Sequence, residues 1–173
     1  MISSLFNSNR QKSYAAFLKI ASRDKAYVND IVRLGAKLMS KQKMHHHFFG
    51  DHSWLATAQA LVTYALGEKD PQDKITSQEC LSIFALFEKR IVNRMPVEYI
   101  LEQAQYCGHS FYVNESVLVP RSIMSARFQD FLNRISWENY RVLDLCTGSG
   151  CIGISLALMN SRIQVDLADI SLE

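Results

Sequence analysis

Apolar residues in the first half of the chain recur at intervals of three and four, the spacing of one face of an α-helix. Two such series lie near the N-terminus: Tyr14, Phe17, Leu18 and Ala21, then Val28, Ile31, Val32, Leu34 and Leu38. A third helix is expected between a cap at Ser53 and a stop at Gly67. A fourth follows Thr76 and Glu79, which have the spacing of a capping box. Residues 1–95 are therefore predicted to form a small helical bundle.

The pattern changes after Met95-Pro96. In the segments AQYCGHSFYV and SVLVP, apolar and polar residues alternate with a shorter period. This pattern predicts a hairpin in a linker spanning 96–121. Residues 122–173 then predict a helix over 122–135, a buried strand YRVLDL, a Gly-rich turn, a helix over 150–159 and a second strand IQVDLADI. That order is the opening βαβ unit of a parallel sheet. The predicted class is α/β, with a helical N-terminal bundle.

Composition and charge narrow the classes of partner. The 173 residues are 48% apolar, and 19 basic against 17 acidic side chains leave a net charge of +2. So small a charge gives no electrostatic reason to expect direct nucleic-acid binding. The sequence contains neither a signal-peptide pattern nor an apolar run of bilayer length, so we expect no membrane association and a cytoplasmic location. The adjacent histidines 45–47 do not converge on one ion from a helix, and no metal site is expected.

The segment VLDLCTGSGCIG, 142–153, contains GxGxxG at Gly148, Gly150 and Gly153. In dinucleotide-binding proteins such glycines let the backbone approach a pyrophosphate at a helix N-terminus. Asp144 ends the preceding strand, and its carboxylate would repel a pyrophosphate. S-adenosyl-L-methionine carries an ammonium, a sulfonium and only one carboxylate, so its charges suit this turn better than those of NAD. The methyl donor is therefore the expected ligand.

Two acidic residues are assigned roles from their positions. Asp144 stands before the turn and, by sequence distance, lies too far from the helix start to act as its cap, which favours a role towards the ligand. Asp169 ends the second strand, where a carboxylate can accept the ribose hydroxyls of an adenosine. That role holds for either cofactor. The same carboxylate of Asp144 is expected to raise the pKa of the thiols Cys146 and Cys151.

Five segments resemble, in this order, the HemK-type protein glutamine methyltransferases: RMPVEYI at 94–100, YCGHSFYV at 106–113, VLVPRS at 117–122, VLDLCTGSGCIGISLA at 142–157 and VDLADIS at 165–171. FFGDHSW at 48–54 extends the resemblance towards the N-terminus. Within the family these segments look most like the branch that methylates ribosomal protein L-three. The branch that acts on peptide-chain release factors is the alternative.

The resemblance implies a helical domain for recognition of the protein substrate, a hairpin, and a Rossmann-like class I methyltransferase domain that uses S-adenosyl-L-methionine. Carried over to this sequence, Asp144 faces the methionine end of the donor, Asp169 holds the ribose, and Arg121 lies beside the pocket. The implied loop and site residues are Asp144, Cys146, Thr147, Gly148, Ser149, Gly150, Asp169 and Arg121. No catalytic residue is assigned.

The family orients the acceptor amide with an NPPY segment on a later strand, and this sequence contains none. We therefore expect a chain truncated before that motif, a catalytically incomplete fragment. A two-stranded sheet is also expected to leave apolar faces uncovered. Two further hypotheses stay open at this point. One is a helical module of the translation apparatus without enzymatic activity, and the other is an NAD-dependent oxidoreductase.

Overall fold

The computed structural model describes Ala15, Phe17, Lys19 and the segments 26–41, 54–121, 123–134 and 140–171. The chain divides into two compact units, Met1–Leu101 and Glu102–Glu173. The domain limits 1–95, 96–121 and 122–173 remain a prediction. Most of the predicted helix around Tyr14–Ala21, the cap Ser53 and the histidines 45–47 lie outside the described residues.

The described helices of the first unit are α1 Val28–Lys41, α2 Trp54–Leu66, α3 Ser77–Ile91 and the short α4 Val97–Leu101. The predicted capping box of α3 is confirmed: the Glu79 N–H donates to Thr76 Oγ1 at 3.2 Å, and the Thr76 N–H donates to Glu79 Oε2 at 2.7 Å. The predicted stop is confirmed as well. Gly67 has φ +73° and donates its N–H to the Thr63 carbonyl at 2.8 Å, a geometry that glycine adopts at helix ends without steric cost.

The core of the first unit lies between α1, α2 and α3. Its fully buried side chains include Ile31, Leu61, Ile83 and Phe87. Phe87 of α3 lies directly on Gly35 of α1, where an added Cβ would come within 2.2 Å of the ring. The absence of a side chain at Gly35 therefore lets the two helices approach around the phenylalanine.

The second unit begins with an antiparallel hairpin, β1 Gln103–Tyr106 and β2 His109–Tyr112, in which Tyr106 pairs with His109. The two turn residues, Cys107 and Gly108, have φ +50° and +78°, as tight hairpin turns require. The hairpin predicted from AQYCGHSFYV is therefore confirmed. SVLVP, 116–120, which the alternation placed in the same hairpin, forms no strand. Ser116 and Val117 lie in a turn, where the Val117 N–H donates to the Asn114 carbonyl at 3.2 Å, and residues 118–120 have no regular secondary structure.

A βαβ unit follows the hairpin. A 3₁₀ turn Ile123–Arg127 leads into α5 Phe128–Arg134, and these are followed by β3 Arg141–Leu145, α6 Cys151–Met159 and β4 Gln164–Ala168. The strands β3 and β4 pair in parallel, with Val142 opposite Val165. The βαβ order agrees with the prediction, whereas the helix predicted over 122–135 is α-helical only from Phe128. The chain is thus a mixture of helices and strands.

The prediction that β3 is buried is wrong for one of its faces. Val142 and Asp144 are half-buried, whereas Leu143 and Leu145 are 60% and 69% exposed. Val165 and Leu167 of β4 lie against Gly153 of α6, so the helix covers the first face. The second face carries the exposed leucines, which confirms the expectation of an uncovered apolar surface. Among the described residues, no helix is long and apolar enough to cross a bilayer.

Candidate functional site

The loop between β3 and α6, residues 146–150, takes its shape from three residues with left-handed backbone. Cys146, Gly148 and Gly150 have φ +59°, +54° and +74°. Two of the three are glycines, for which this region carries no steric cost. The loop is tied to the end of β4 by the Thr147 N–H, which donates to the Ala168 carbonyl at 3.1 Å. The sequence GSG therefore folds as a tight turn at the carboxyl ends of both parallel strands.

Asp144 lies under the first turn of α6. Its Oδ2 accepts the Thr147 hydroxyl at 2.7 Å and the Gly153 N–H at 2.9 Å. Gly153 is the third residue of α6, so its N–H is one of those left without a partner within the helix. Asp144 therefore caps α6, and the expectation that it lies too far from the helix start is wrong. The three left-handed residues turn the loop back on itself and bring the helix start to the end of β3.

This arrangement depends on close packing at Gly153. A Cβ there would lie 2.4 Å from Leu167 Cδ2 and 3.1 Å from the Asp144 Cβ. The first turn of α6 thus reaches the two strands because position 153 has no side chain. The third glycine of the GxGxxG spacing serves packing between helix and sheet, which leaves Gly148 and Gly150 as the glycines of the loop itself.

A carboxylate in this position changes the electrostatics of the helix N-terminus. Asp144 places a negative charge where the helix dipole and free N–H groups attract anions. Within the described residues, Oδ2 takes both hydrogen bonds and Oδ1 takes none. One carboxylate oxygen is therefore left to accept a donor from a ligand. A cationic group suits that position, and a phosphate does not.

Asp169 follows β4 and reaches the loop from the other strand. Its Oδ2 accepts the Gly148 N–H at 2.8 Å, and its Oδ1 accepts the Ser171 N–H at 3.0 Å. The hydrogen bonds from the backbone N–H groups of Ser171 and then Gly148 lower the pKa of this carboxyl. Asp169 is exposed and ionised at neutral pH. Each oxygen keeps a lone pair that can accept a hydroxyl.

The structure brings most of the predicted residues together at the loop between β3 and α6. Hydrogen bonds link Asp144 to Thr147 and Asp169 to Gly148. Cys146 is exposed, Ser149 is half-buried, and both belong to the same turn. Arg121 is exposed and lies four residues after Val117, a residue that packs against Gly148.

Val117 is a residue that sequence reasoning missed. It stands in the matched segment VLVPRS, but nothing in its type or spacing indicates contact with the glycine loop.

The expected rise of a thiol pKa is confirmed at Cys151, where burial is the largest cause and the Asp144 charge adds to it. Among the described residues, no group of three or more His, Cys, Asp or Glu could hold a metal ion.

No family model matches the chain. Curated proteins of related sequence match most of the chain. A protein of Xylella fastidiosa strain 9a5c named ribosomal protein uL3 glutamine methyltransferase is 35% identical over 152 residues, which cover 82% of this chain and 48% of the relative. The protein of the same name from strain Temecula1 is 34% identical over the same shares. The chain thus spans about half the length of the curated relatives it matches.

The resemblance read from the motifs and the similarity to these relatives agree. The aligned region extends over most of the chain, well beyond the glycine loop that many unrelated nucleotide-binding proteins share. Within that region the similarity supports assignment of the chain to the HemK-type family of protein glutamine methyltransferases.

Proposed function

We propose that this chain carries the S-adenosyl-L-methionine site and the helical recognition unit of an enzyme that methylates a glutamine side-chain amide of ribosomal protein uL3, the protein L-three of the sequence prediction. The names of the relatives support the reaction and the substrate. The unit β3-α6-β4 supports the cofactor assignment, as the first part of a Rossmann-like class I methyltransferase domain. A cytoplasmic location accords with the modification of a ribosomal protein.

The position of the Asp144 carboxylate carries the choice of cofactor. Oδ2 is held by Thr147 and Gly153 at the N-terminus of α6. A pyrophosphate at this helix would face a fixed negative charge at close range, and that repulsion is strongest in a partly buried site. The ammonium of S-adenosyl-L-methionine would instead meet an acceptor in Oδ1. The glycine loop therefore favours the methyl donor over NAD.

The remaining loop residues fit the rest of the donor. Asp169 presents acceptors at the end of β4, where a ribose can offer two hydroxyls. Gly148 and Gly150 expose backbone without side chains, so a ligand can approach the loop closely. When bound, the donor supplies a methyl group on a cationic sulfur. The described residues bind and orient that donor, and none of them is assigned a proton transfer.

The decisive experiment is calorimetric titration of the 173-residue chain with S-adenosyl-L-methionine and, separately, with NADH. We expect heat of binding with the first and none with the second. Asp144→Asn keeps the size of the side chain and removes its charge, so it should weaken donor binding. Asp166→Asn is the matched control, because Asp166 pairs with exposed Arg141 on the same two strands, away from the loop. Binding of NADH alone would contradict the proposed cofactor.

The substrate is tested separately from the cofactor. The same chain is titrated with unmodified ribosomal protein uL3 and with an unmodified release factor. We expect binding to uL3 only. Preference for the release factor would place the chain in the other branch of the family, and binding to neither would contradict the role proposed for the helical unit.

A further inference from the structure

Val117 lies against the backbone of Gly148, and we propose that it is a positioning residue of the glycine loop. In this role Val117 holds the Gly148 peptide so that its N–H stays on Asp169, and through that contact it sets the affinity of the loop for its ligand. The identity of the ligand rests on the proposed function. The positioning of Gly148 does not, and it can be measured without any ligand.

Val117 stands on the side of Gly148 where a side chain would project. A Cβ built on Gly148 would lie 3.1 Å from Val117 Cγ2, and apart from Gly148 and its two chain neighbours no other atom of the described residues comes within 4 Å of it. A real Cβ there would be closer to the valine than ordinary van der Waals contact allows, so the methyl group occupies the space that a side chain at position 148 would need. Gly148 also has φ +54°. The methyl group therefore limits how far this part of the loop can move towards Val117.

The turn before Val117 fixes the position of its side chain. Asn114 accepts the Ser116 N–H on its Oδ1 at 2.9 Å and the Val117 N–H on its carbonyl at 3.2 Å. This is an Asx turn, in which the side chain mimics a backbone acceptor. Val113 and Val119 on either side are buried, at 0% and 5% exposure. Val117 itself is half-buried, and its branched Cβ restricts the side chain to few rotamers.

Asp169 holds Gly148 from a second direction. Its Oδ2 accepts the Gly148 N–H at 2.8 Å. The peptide is therefore fixed by a hydrogen bond from β4 and by a packing contact from the Asn114 turn. Loss of the valine methyl groups would free the glycine to move, and the hydrogen bond to Asp169 would form for a smaller fraction of the time. Asp169 would then be less well oriented for a ribose.

The test compares Val117→Ala with two matched variants. Val117→Ile keeps the branched Cβ and its methyl contact, and Val113→Ala removes the same atoms from a buried valine that precedes the turn. Amide hydrogen exchange of Gly148 is followed by NMR in the absence of ligand, and donor affinity is measured by calorimetry. We expect faster Gly148 exchange and about threefold or greater weakening of binding in Val117→Ala. Val117→Ile should behave as wild type.

A purely structural role for Val117 would give a different pattern. It would lower the melting temperature of Val117→Ala and of Val113→Ala while leaving Gly148 exchange, relative to other loop amides, unchanged. That result would overturn the proposal. If the wild-type chain binds no S-adenosyl-L-methionine, the proposed function fails, and the Gly148 exchange alone decides for or against the positioning role.

A double-mutant cycle supplies an independent measurement. Gly148→Ala places a Cβ against Val117 and also strains the backbone at positive φ. The backbone strain is the same in either background, whereas the contact disappears when residue 117 is alanine. We therefore expect Gly148→Ala to lower the melting temperature less in the Val117→Ala background than in wild type. Equal effects in both backgrounds would contradict the contact.

Discussion

The Oδ2 atom of Asp144 lies 2.9 Å from the backbone nitrogen of Gly153, although eight residues separate the two in the chain. The same oxygen accepts the Thr147 hydroxyl. One carboxylate thus closes the loop and caps the helix that follows it. The charge that stabilises this turn also determines which ligands the helix N-terminus accepts. It repels anions, and its second oxygen, Oδ1, can accept a hydrogen bond from a cation.

Replacement of Asp169 by Ala should weaken binding of S-adenosyl-L-methionine roughly tenfold, as expected when hydrogen bonds to a charged group are lost. The variant also removes the acceptor of the Gly148 N–H. Calorimetry measures the affinity, and Asp166→Ala serves as the control from the same strand pair. Equal affinities of the Asp169→Ala variant and wild type would contradict the proposed role of Asp169 in donor binding.

Two glycines have almost the same backbone conformation but different surroundings. Comparing alanine substitutions at the two positions therefore separates the stability lost to left-handed backbone from the stability lost to steric contact. Gly67 and Gly150 have φ +73° and +74°. A Cβ at Gly67 would meet nothing within 4 Å, whereas one at Gly150 would lie 2.7 Å from Ile154 Cδ1. Gly67→Ala should therefore cost only the left-handed backbone, about 1–2 kcal/mol of the free energy of unfolding. Gly150→Ala should cost more.

Urea unfolding of the two variants measures this difference. The Gly150→Val variant is expected to be the least stable, because valine adds two methyl groups to the Cβ at the same crowded position. Equal losses for Gly67→Ala and Gly150→Ala would show that Ile154 moves aside at no cost, and that the loop tolerates a side chain beside the helix start.

These comparisons also show which features could be predicted from the sequence. The capping box of α3 and the stop at Gly67 depend on residues within four positions of each other, and both were predicted correctly. The cap at Asp144 depends on the path of a loop with three left-handed residues, so sequence distance gave the wrong answer. Val117 and Gly148 lie far apart in the chain and meet only through the fold. The exposed face of β3 depends on which elements cover it, and its apolar sequence alone predicted burial.

Stability of the helical unit should fall at acidic pH because of Glu79. The hydrogen bond from Lys69, with the bonds from Thr76, lowers the pKa of Glu79 from 4.5 to about 2. A carboxyl whose pKa is lowered by folding stabilises the protein fully above its unfolded value of about 4.5. That contribution is lost progressively as the pH falls through about 2.

The variant Glu79→Gln keeps a polar side chain at the capping position and removes its charge. It should lower the free energy of unfolding at neutral pH by about 0.5–1 kcal/mol, as for a partly exposed ion pair. It should also unfold with a weaker pH dependence between about pH 5 and 2 than wild type. Urea titrations at several pH values measure both effects, with Glu68→Gln as the control. An unchanged pH dependence in Glu79→Gln would contradict the assignment.

The 173-residue polypeptide, assayed alone, should not methylate ribosomal protein uL3 at a measurable rate. Its sequence contains no NPPY segment, the segment that the resemblance to the HemK-type family implies for orienting the acceptor amide. An amide nitrogen that is not held in line with the donor methyl samples many geometries. Lost positioning of this kind can raise a barrier by about 7–11 kcal/mol. Donor binding requires fewer parts of the enzyme than catalysis does. The two parts proposed for it, the loop between β3 and α6 and the carboxylate of Asp169, both lie within the described residues.

The assay follows transfer of a radiolabelled methyl group from S-adenosyl-L-methionine to unmodified uL3. A chimera that continues these residues with the unmatched part of a curated relative provides the comparison. We expect label incorporation by the chimera and none by the 173-residue polypeptide. Incorporation by the polypeptide alone would show that the amide can be oriented without an NPPY segment. In an active chimera, Asp169→Ala should reduce label incorporation at limiting donor concentration. Incorporation should recover as the donor concentration is raised, because the substitution weakens donor binding.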